Sequence, residues 1–389
     1  MKLTSLVSYT TTYPNTGFPK LQNGSQLLVK ESVDSYSTQS IPSILFGSSA
    51  QGALFHPKTL SKTGIQVSGL GIGTWQLVPK GSIDGYVPKH RDNPVELIQK
   101  LHTQYGINFL DTAAIYGDGK AEEVVQKVIA PNRNKWVIAS KLWSGDLFKG
   151  LEKYTSHDKQ YAEFEKRANA RLKETLQRLK IQNLDVYLFH KTEPLTFSQT
   201  EWTTRFLKEA KAKGLVKAIG VSTNDFETIR RFYEQGALDV AEFEDNLLKK
   251  HPDGFLKFLE EKQIGCLTHG SLAHGLLTSR RLNEGNKTKF QEGDIRNLVQ
   301  QAQPINFDNY KPLLDLQSSS QKVEQAAIRY LLDNHNTTTH SILSGGSTFQ
   351  QYQDLIEAFK RPSLSESEQK NIKRIKEKLK DDPYAAFAP

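Results

Sequence analysis

The chain has 389 residues, 37% hydrophobic and 24% charged, with a formal net charge of +8, enough apolar material for a large core but no run of eighteen apolar residues to form a membrane helix. Its one cysteine, Cys266, excludes an intrachain disulfide framework and a thiolate zinc site, and neither a His-Glu-x-x-His helix nor a phosphate-binding Walker loop is present. Basic residues are interspersed with Glu and Asp, as in 166–174, so the charge reads as solvated helix faces instead of a nucleic-acid surface. The mild positive potential left over suits a phosphate-bearing cofactor or an anionic substrate.

In chain order, residues 1–57 stand apart. Sixteen of the first fifty are Ser or Thr, and the stretch is expected to be a partly flexible N-terminal extension, with Ser43–Phe46 and Gly52–Phe55 as its apolar anchors. It lacks the apolar segment of a secretory signal, and no Arg precedes Arg91, so the cytoplasm is the expected compartment. Gly69-x-Gly71-x-Gly73 runs into Thr74-Trp75 and not into a helix, so it reads as a barrel strand with small residues, not as a dinucleotide fingerprint. Pro94 opens a helix carrying Val95, Ile98, Leu101 and Tyr105 on one side.

A short apolar strand then ends at Asp111. The same scheme repeats, with strands near 136–141, 184–190, 218–223, 240–245, 265–270 and 340–345 alternating with helices near 161–180, 200–213, 225–235, 251–262, 320–334 and 348–359. This is the pattern of an α/β protein of the (β/α)8 TIM-barrel class over residues 58–362. The stretch 279–319 is too long for a simple connection and is expected to fold over the barrel mouth. Residues 363–389 are expected to form a capping helix and tail.

Three consecutive strands end in a polar group or lead into one: Asp111 with Tyr116 in the turn beyond it, Lys141, and His190. Taken singly, each has an ordinary alternative, such as a turn cap, a turn aromatic or a solvated side chain. Together, at the C-terminal ends of barrel strands, they occupy the place where such folds carry their chemistry. A phenol of pKa about 10 needs assistance to exchange protons near neutrality. An ammonium about 4 Å away contributes roughly 4 kcal/mol at an effective dielectric of 20, so Lys141 is expected to acidify Tyr116 by up to about three units. Asp111 would hold Lys141 charged, and His190 would donate a hydrogen bond to a substrate carbonyl. No side chain supplies hydride, so a cofactor is implied.

The segments 63–75, 109–122, 214–222, 265–278 and 290–296 together resemble the aldo-keto reductases. The resemblance implies a catalytic tetrad of Asp111, Tyr116, Lys141 and His190, with NADP(H) or NAD(H) lying extended across the barrel mouth. It places the cofactor against Gly73, Thr74, Trp75, Ser222, Thr223, Glu242, His269, Gly270, Leu272, Gly275, Leu276, Gly345, Gly346, Ser347, Gln350 and Asp354. Trp75 and Trp143 would line a pocket for a small-molecule carbonyl or alcohol, with no metal, nucleic acid or membrane involved.

Several positions depart from the family pattern. Glu242 replaces a customary Gln, Asp245 a Tyr, and His269 the aromatic that stacks on nicotinamide. Gly346 replaces an Arg that meets the 2′-phosphate of NADP, and Asp354 adds a negative charge there. The amides of Gly345, Gly346 and Ser347, ahead of a helix, are expected to hold phosphate in its place. The implied activity is reversible reduction of an aldehyde or ketone. The alternative motivated by these departures is a dinucleotide-binding regulatory or redox-sensing barrel with little turnover.

Overall fold

The computed structural model describes residues 57–78, 87–88, 90–190, 194–302, 304–318 and 320–379. The expectations for the N-terminal extension and the last ten residues fall outside these.

Eight parallel strands close into a barrel: β3 (Leu70–Gly73), β4 (Phe109–Asp111), β5 (Val137–Trp143), β6 (Leu184–His190), β7 (Val216–Ser222), β8 (Val240–Glu244), β9 (Gly265–His269) and β10 (Ser341–Ser344). A preceding hairpin of β1 (Lys58–Thr59) and β2 (Gln66–Val67) brings Leu60 and Val67 into the buried interior cluster. Around the strands run α1 (Pro94–Tyr105), α2 (Lys120–Ile129), α3 (His157–Leu179), α4 (Phe197–Ala212), α5 (Phe226–Glu234), α6 (Phe255–Glu261), α9 (Val323–Asn334) and α10 (Phe349–Lys360).

Side chains alternate between two buried layers, as the two-residue period of a strand requires. Phe109, Ala139, Val186, Leu188, Ala218, Val240 and Leu267 fill the barrel interior. Leu110, Ile138, Tyr187, Phe189, Ile219, Ala241 and Phe243 pack outward under the helices. Continued one step toward the C-terminal mouth, the inward set becomes Asp111, Lys141, His190, Ser222, Glu242 and His269. The register is tight where β7 meets β8: a Cβ on Gly220 would lie 1.7 Å from the Val240 carbonyl oxygen.

The α1 start is capped by Asn93 Oδ1, which accepts from the amides of Val95 and Glu96, with Pro94 in the first turn. The helix expected near 251–262 begins at Phe255, because Gly254 before it takes left-handed backbone, φ 78°, which helical geometry does not allow.

The stretch 279–319 is not one open loop. It contains α7 (Ser279–Glu284), α8 (Ile295–Ala302) and a 3₁₀ segment, Phe307–Leu316. Phe307, Tyr310, Leu313 and Leu316 form a second buried cluster with Leu276, Val323 and Leu364. Ile372, Ile375 and Leu379 join it from α11 (Glu366–Leu379). The C-terminal helix is therefore part of a core and not only a cap. Midway along the stretch, Asp294 accepts from the Val87 amide at 2.9 Å and is gripped by Arg296, which also donates to the His274 carbonyl after β9. Among the described residues no helix is long and apolar enough to cross a membrane.

Candidate active site

Lys141 organises the mouth. Its side chain is fully buried, and Nζ donates to Asp111 Oδ1 at 2.5 Å and to the Thr112 carbonyl at 3.1 Å. It also lies 3.4 Å from Glu242 Oε2. The Tyr116 ring centroid is 5.3 Å from the same nitrogen, near enough for the ammonium to favour the phenolate. Thr74 braces the arrangement, its amide and hydroxyl both donating to the Asp111 carbonyl at 3.0 Å. Trp75 stacks on Tyr116 at 5.8 Å, His190 meets Tyr116 edge-on at 6.2 Å, and Trp143 meets His190 at 5.5 Å. All four expected catalytic residues and both tryptophans thus come together.

The electrostatics differ from the expectation in one respect. Burial tends to discharge Lys141, but Asp111 and Glu242 outweigh it and hold the ammonium charged. Burial also raises the Tyr116 phenol. Lys141 pulls it down, but Asp111 and Glu242 push it back up, and the net direction is upward. The expected acidification is present as an interaction and is outweighed, first by burial of the phenol and then by the two carboxylates that face the same lysine. Burial, then Glu242, lifts the Asp111 carboxyl to about 7 against the pull of Lys141. His190 is pulled down to about 3 by burial and by Lys141, so it is neutral at working pH. Its Nδ1 is buried without a hydrogen-bond partner. His269 falls to about 4 for the same reasons.

Around the rim, Ser222 Oγ donates to Glu242 Oε1 at 3.0 Å, leaving Oε2 buried without a hydrogen-bond donor. Thr223 caps a turn through the Asp225 amide, and Asn224 Oδ1 accepts from the Glu244 amide. Glu244, which the sequence reading passed over, is the next inward residue of β8. Burial raises its carboxyl to about 7 despite Lys249 at 3.6 Å. The signal was present, since Val240-Ala-Glu-Phe-Glu244 alternates. Asp245 points the other way, outside the mouth, and accepts from His251 at 2.9 Å and His335 at 2.5 Å. These bonds hold its carboxyl below the usual range in spite of burial. Gly270 lies against the Glu244 side chain, and the turns after it run through Leu272 and Gly275. The Leu276 side chain faces the second core and not the mouth.

Two of the three amides expected to cradle phosphate, those of Gly346 and Ser347, are already engaged. The Gly346 amide donates to Tyr352 Oη, the Ser347 amide to Gln351 Oε1 at 2.8 Å, and the Phe349 amide to Asp92 Oδ2 at 2.6 Å. The Ser347 hydroxyl donates to the His90 carbonyl. Gln76 packs against Gly345. These amides are therefore not the unsatisfied donors the sequence suggested. Gly346 is small because the buried Tyr352 ring stands 2.7 Å from where its Cβ would be. Asp354 is not a bare charge either: Lys322 pairs with it at 2.8 Å, and Gln350 donates to it.

The family model described as the aldo/keto reductase family matches residues 69–377. The chain belongs to that family. Its oxidoreductase relatives include the aldo-keto reductase YhdN of Bacillus subtilis, 27% identical, covering 84% of this chain and 95% of that one. An NADH-specific methylglyoxal reductase of Escherichia coli is 25% identical, covering 82% and 98%. Among solved structures, a holo-form aldo-keto reductase of Bacillus halodurans superposes with a TM-score of 0.62 at 20% identity, covering 82% of this chain and 96% of that one. This reductase is accordingly an NAD(P)H-dependent oxidoreductase that interconverts carbonyl and alcohol.

Proposed function

We propose that Tyr116 is the general acid and base of this reaction and that Asp111, Lys141 and His190 position it and the substrate. The observation that carries this reading is the buried Lys141 ammonium, held between Asp111 and Tyr116 at the barrel mouth. A bound nicotinamide would supply the hydride for reduction and accept it for oxidation. Tyr116 would deliver its proton to the carbonyl oxygen. The neutral His190 ring would donate to the same oxygen, which orients the substrate without adding charge. Trp75 and Trp143, packed against Tyr116 and His190, would form apolar walls for an aldehyde or ketone.

The residues fit a dinucleotide. The orphaned oxygens of Glu242 and Glu244 are acceptors for amide or hydroxyl donors, while Ser222, His269, Gly270 and Leu272 lie at the ends of adjoining strands on the same face. Thr74, Gly73 and the turn Gly345–Ser347 complete the rim. The Asp92 carboxylate at the start of α10, with Tyr352 over Gly346, supports NADH over NADPH, because an added phosphate would meet a negative charge and occupied amides.

The test combines tryptophan fluorescence quenching by NADH and NADPH with loss of the dihydronicotinamide absorbance over a panel of aldehydes and ketones. Turnover that disappears in Tyr116→Phe, with cofactor affinity kept, is the expected result. Tight cofactor binding without turnover on the whole panel would favour a regulatory barrel.

A further inference from the structure

The mouth holds more acid than one lysine can neutralise. Asp111 and Glu242 both face Lys141 Nζ, at 2.5 and 3.4 Å, and all three side chains are buried. Glu242 is also among the causes that hold the Asp111 carboxyl above the usual carboxylate range. Two ionised carboxylates would have to share that one ammonium, which sits closer to Asp111, and Glu242 Oε2 accepts no hydrogen bond. A single added proton removes the repulsion and satisfies that oxygen. Such pairs bind one proton far more firmly than an isolated carboxyl does.

We propose that Glu242 is a positioning residue that shares one proton with Asp111 beside Lys141, and that loss of this proton as pH rises through neutrality slows proton delivery by Tyr116. The inference rests on Tyr116 being the acid. With the proton in place, the pair carries one negative charge and Lys141 one positive charge, and the neutral phenol sits in a balanced site. When the proton leaves for solvent, the extra negative charge opposes formation of a phenolate, and Tyr116 becomes a weaker acid. The Asp111 carboxyl held at about 7 agrees with a release in this range.

The charged and titratable groups facing Glu242 are Lys141 from β5, Asp111 from β4 and Tyr116 beyond it, with His190 on β6 and His269 on β9 nearby. Both histidines are neutral throughout, so neither masks the transition. Ser222 contributes only a hydroxyl.

Infrared difference spectra of the cofactor-free chain read the shared proton directly. A buried protonated carboxyl band should persist above about pH 5, beyond the ordinary carboxyl range, and vanish as pH passes neutrality. Glu242→Gln should remove that band and leave the separate one of Glu244, whose carboxyl is also held at about 7. Asp111→Asn should remove it as well, and Glu242→Asp should retain it, which excludes a folding artefact. In reduction of 4-nitrobenzaldehyde, kcat/KM of the native chain should fall about tenfold per pH unit above neutrality, and Glu242→Gln should flatten this limb. A carboxyl band unchanged in Glu242→Gln, or an unchanged limb, overturns the proposal. A chain with the shared-proton band but no turnover would overturn the role of Tyr116 and leave the proton sharing standing.

Discussion

Tyr116 illustrates how a residue's reactivity is set by its neighbours. Lys141 beside it favours the phenolate, while burial, Asp111 and Glu242 favour the phenol. The balance keeps the proton on oxygen until a substrate carbonyl needs it, which suits an acid acting in reduction. Tyr116→Phe removes that proton and leaves the ring stacked on Trp75, so kcat should drop by about 10²- to 10⁴-fold with cofactor dissociation constants changed less than about threefold. Steady-state kinetics together with fluorescence titration checks both halves.

Glu244 gives a second prediction at this scale. Its folded-state value, about 7, lies above the unfolded one, so its favourable contribution is complete below the unfolded pKa and is lost as pH rises through about 7. Above that, the buried charge costs about 3 kcal/mol. Denaturant midpoints should show Glu244→Gln more stable than the native chain at about pH 8, with the advantage fading toward about pH 4.

At the scale of elements, the start of α10 and the β7–β8 pairing are the informative places. The α10 amides are satisfied from within the chain, by Gln351 of the first turn and by Asp92 from the segment before α1. Asp92→Asn keeps a capping oxygen and removes its charge, so it should tighten NADPH binding relative to NADH by about fivefold, the scale of one charge at a helix N-terminus. Equal ratios in both chains would show that the adenosine end lies elsewhere. Gly346→Arg, the substitution that the family pattern would suggest, should not restore NADPH preference. Its Cβ would collide with Tyr352, whose hydroxyl links Gly346 to Ser344, and thermal denaturation should show a loss of about 1–3 kcal/mol. Gly220→Ala should be worse, because its Cβ meets backbone and not a movable side chain. A cost above about 3 kcal/mol, read by denaturant unfolding, is expected.

For the whole molecule, the alternation of strands and helices was legible because each barrel strand is a short apolar run and each helix carries an apolar face. The helix start at Pro94 was legible because a proline in the first turn is local chemistry. The stretch 279–319 was less so: α7, α8 and the 3₁₀ segment gain their stability from Leu276, α9 and α11, partners that no local window contains. The same dependence makes α11 structural. Truncation after residue 363 would uncover Tyr310, Leu313 and Val323 by removing Ile372, Ile375 and Leu379.

The order of motifs determined the family, the barrel and the four residues at its mouth, since strand period and the position after a strand are properties of the chain itself. Only the closed barrel decided how charge is shared there. It set Glu242 against Lys141, turned Asp245 outward to His251 and His335, and brought Asp92 onto the end of α10. Electrostatic balance depends on distances of a few ångströms between residues far apart in the chain, and those distances exist only after the strands have paired.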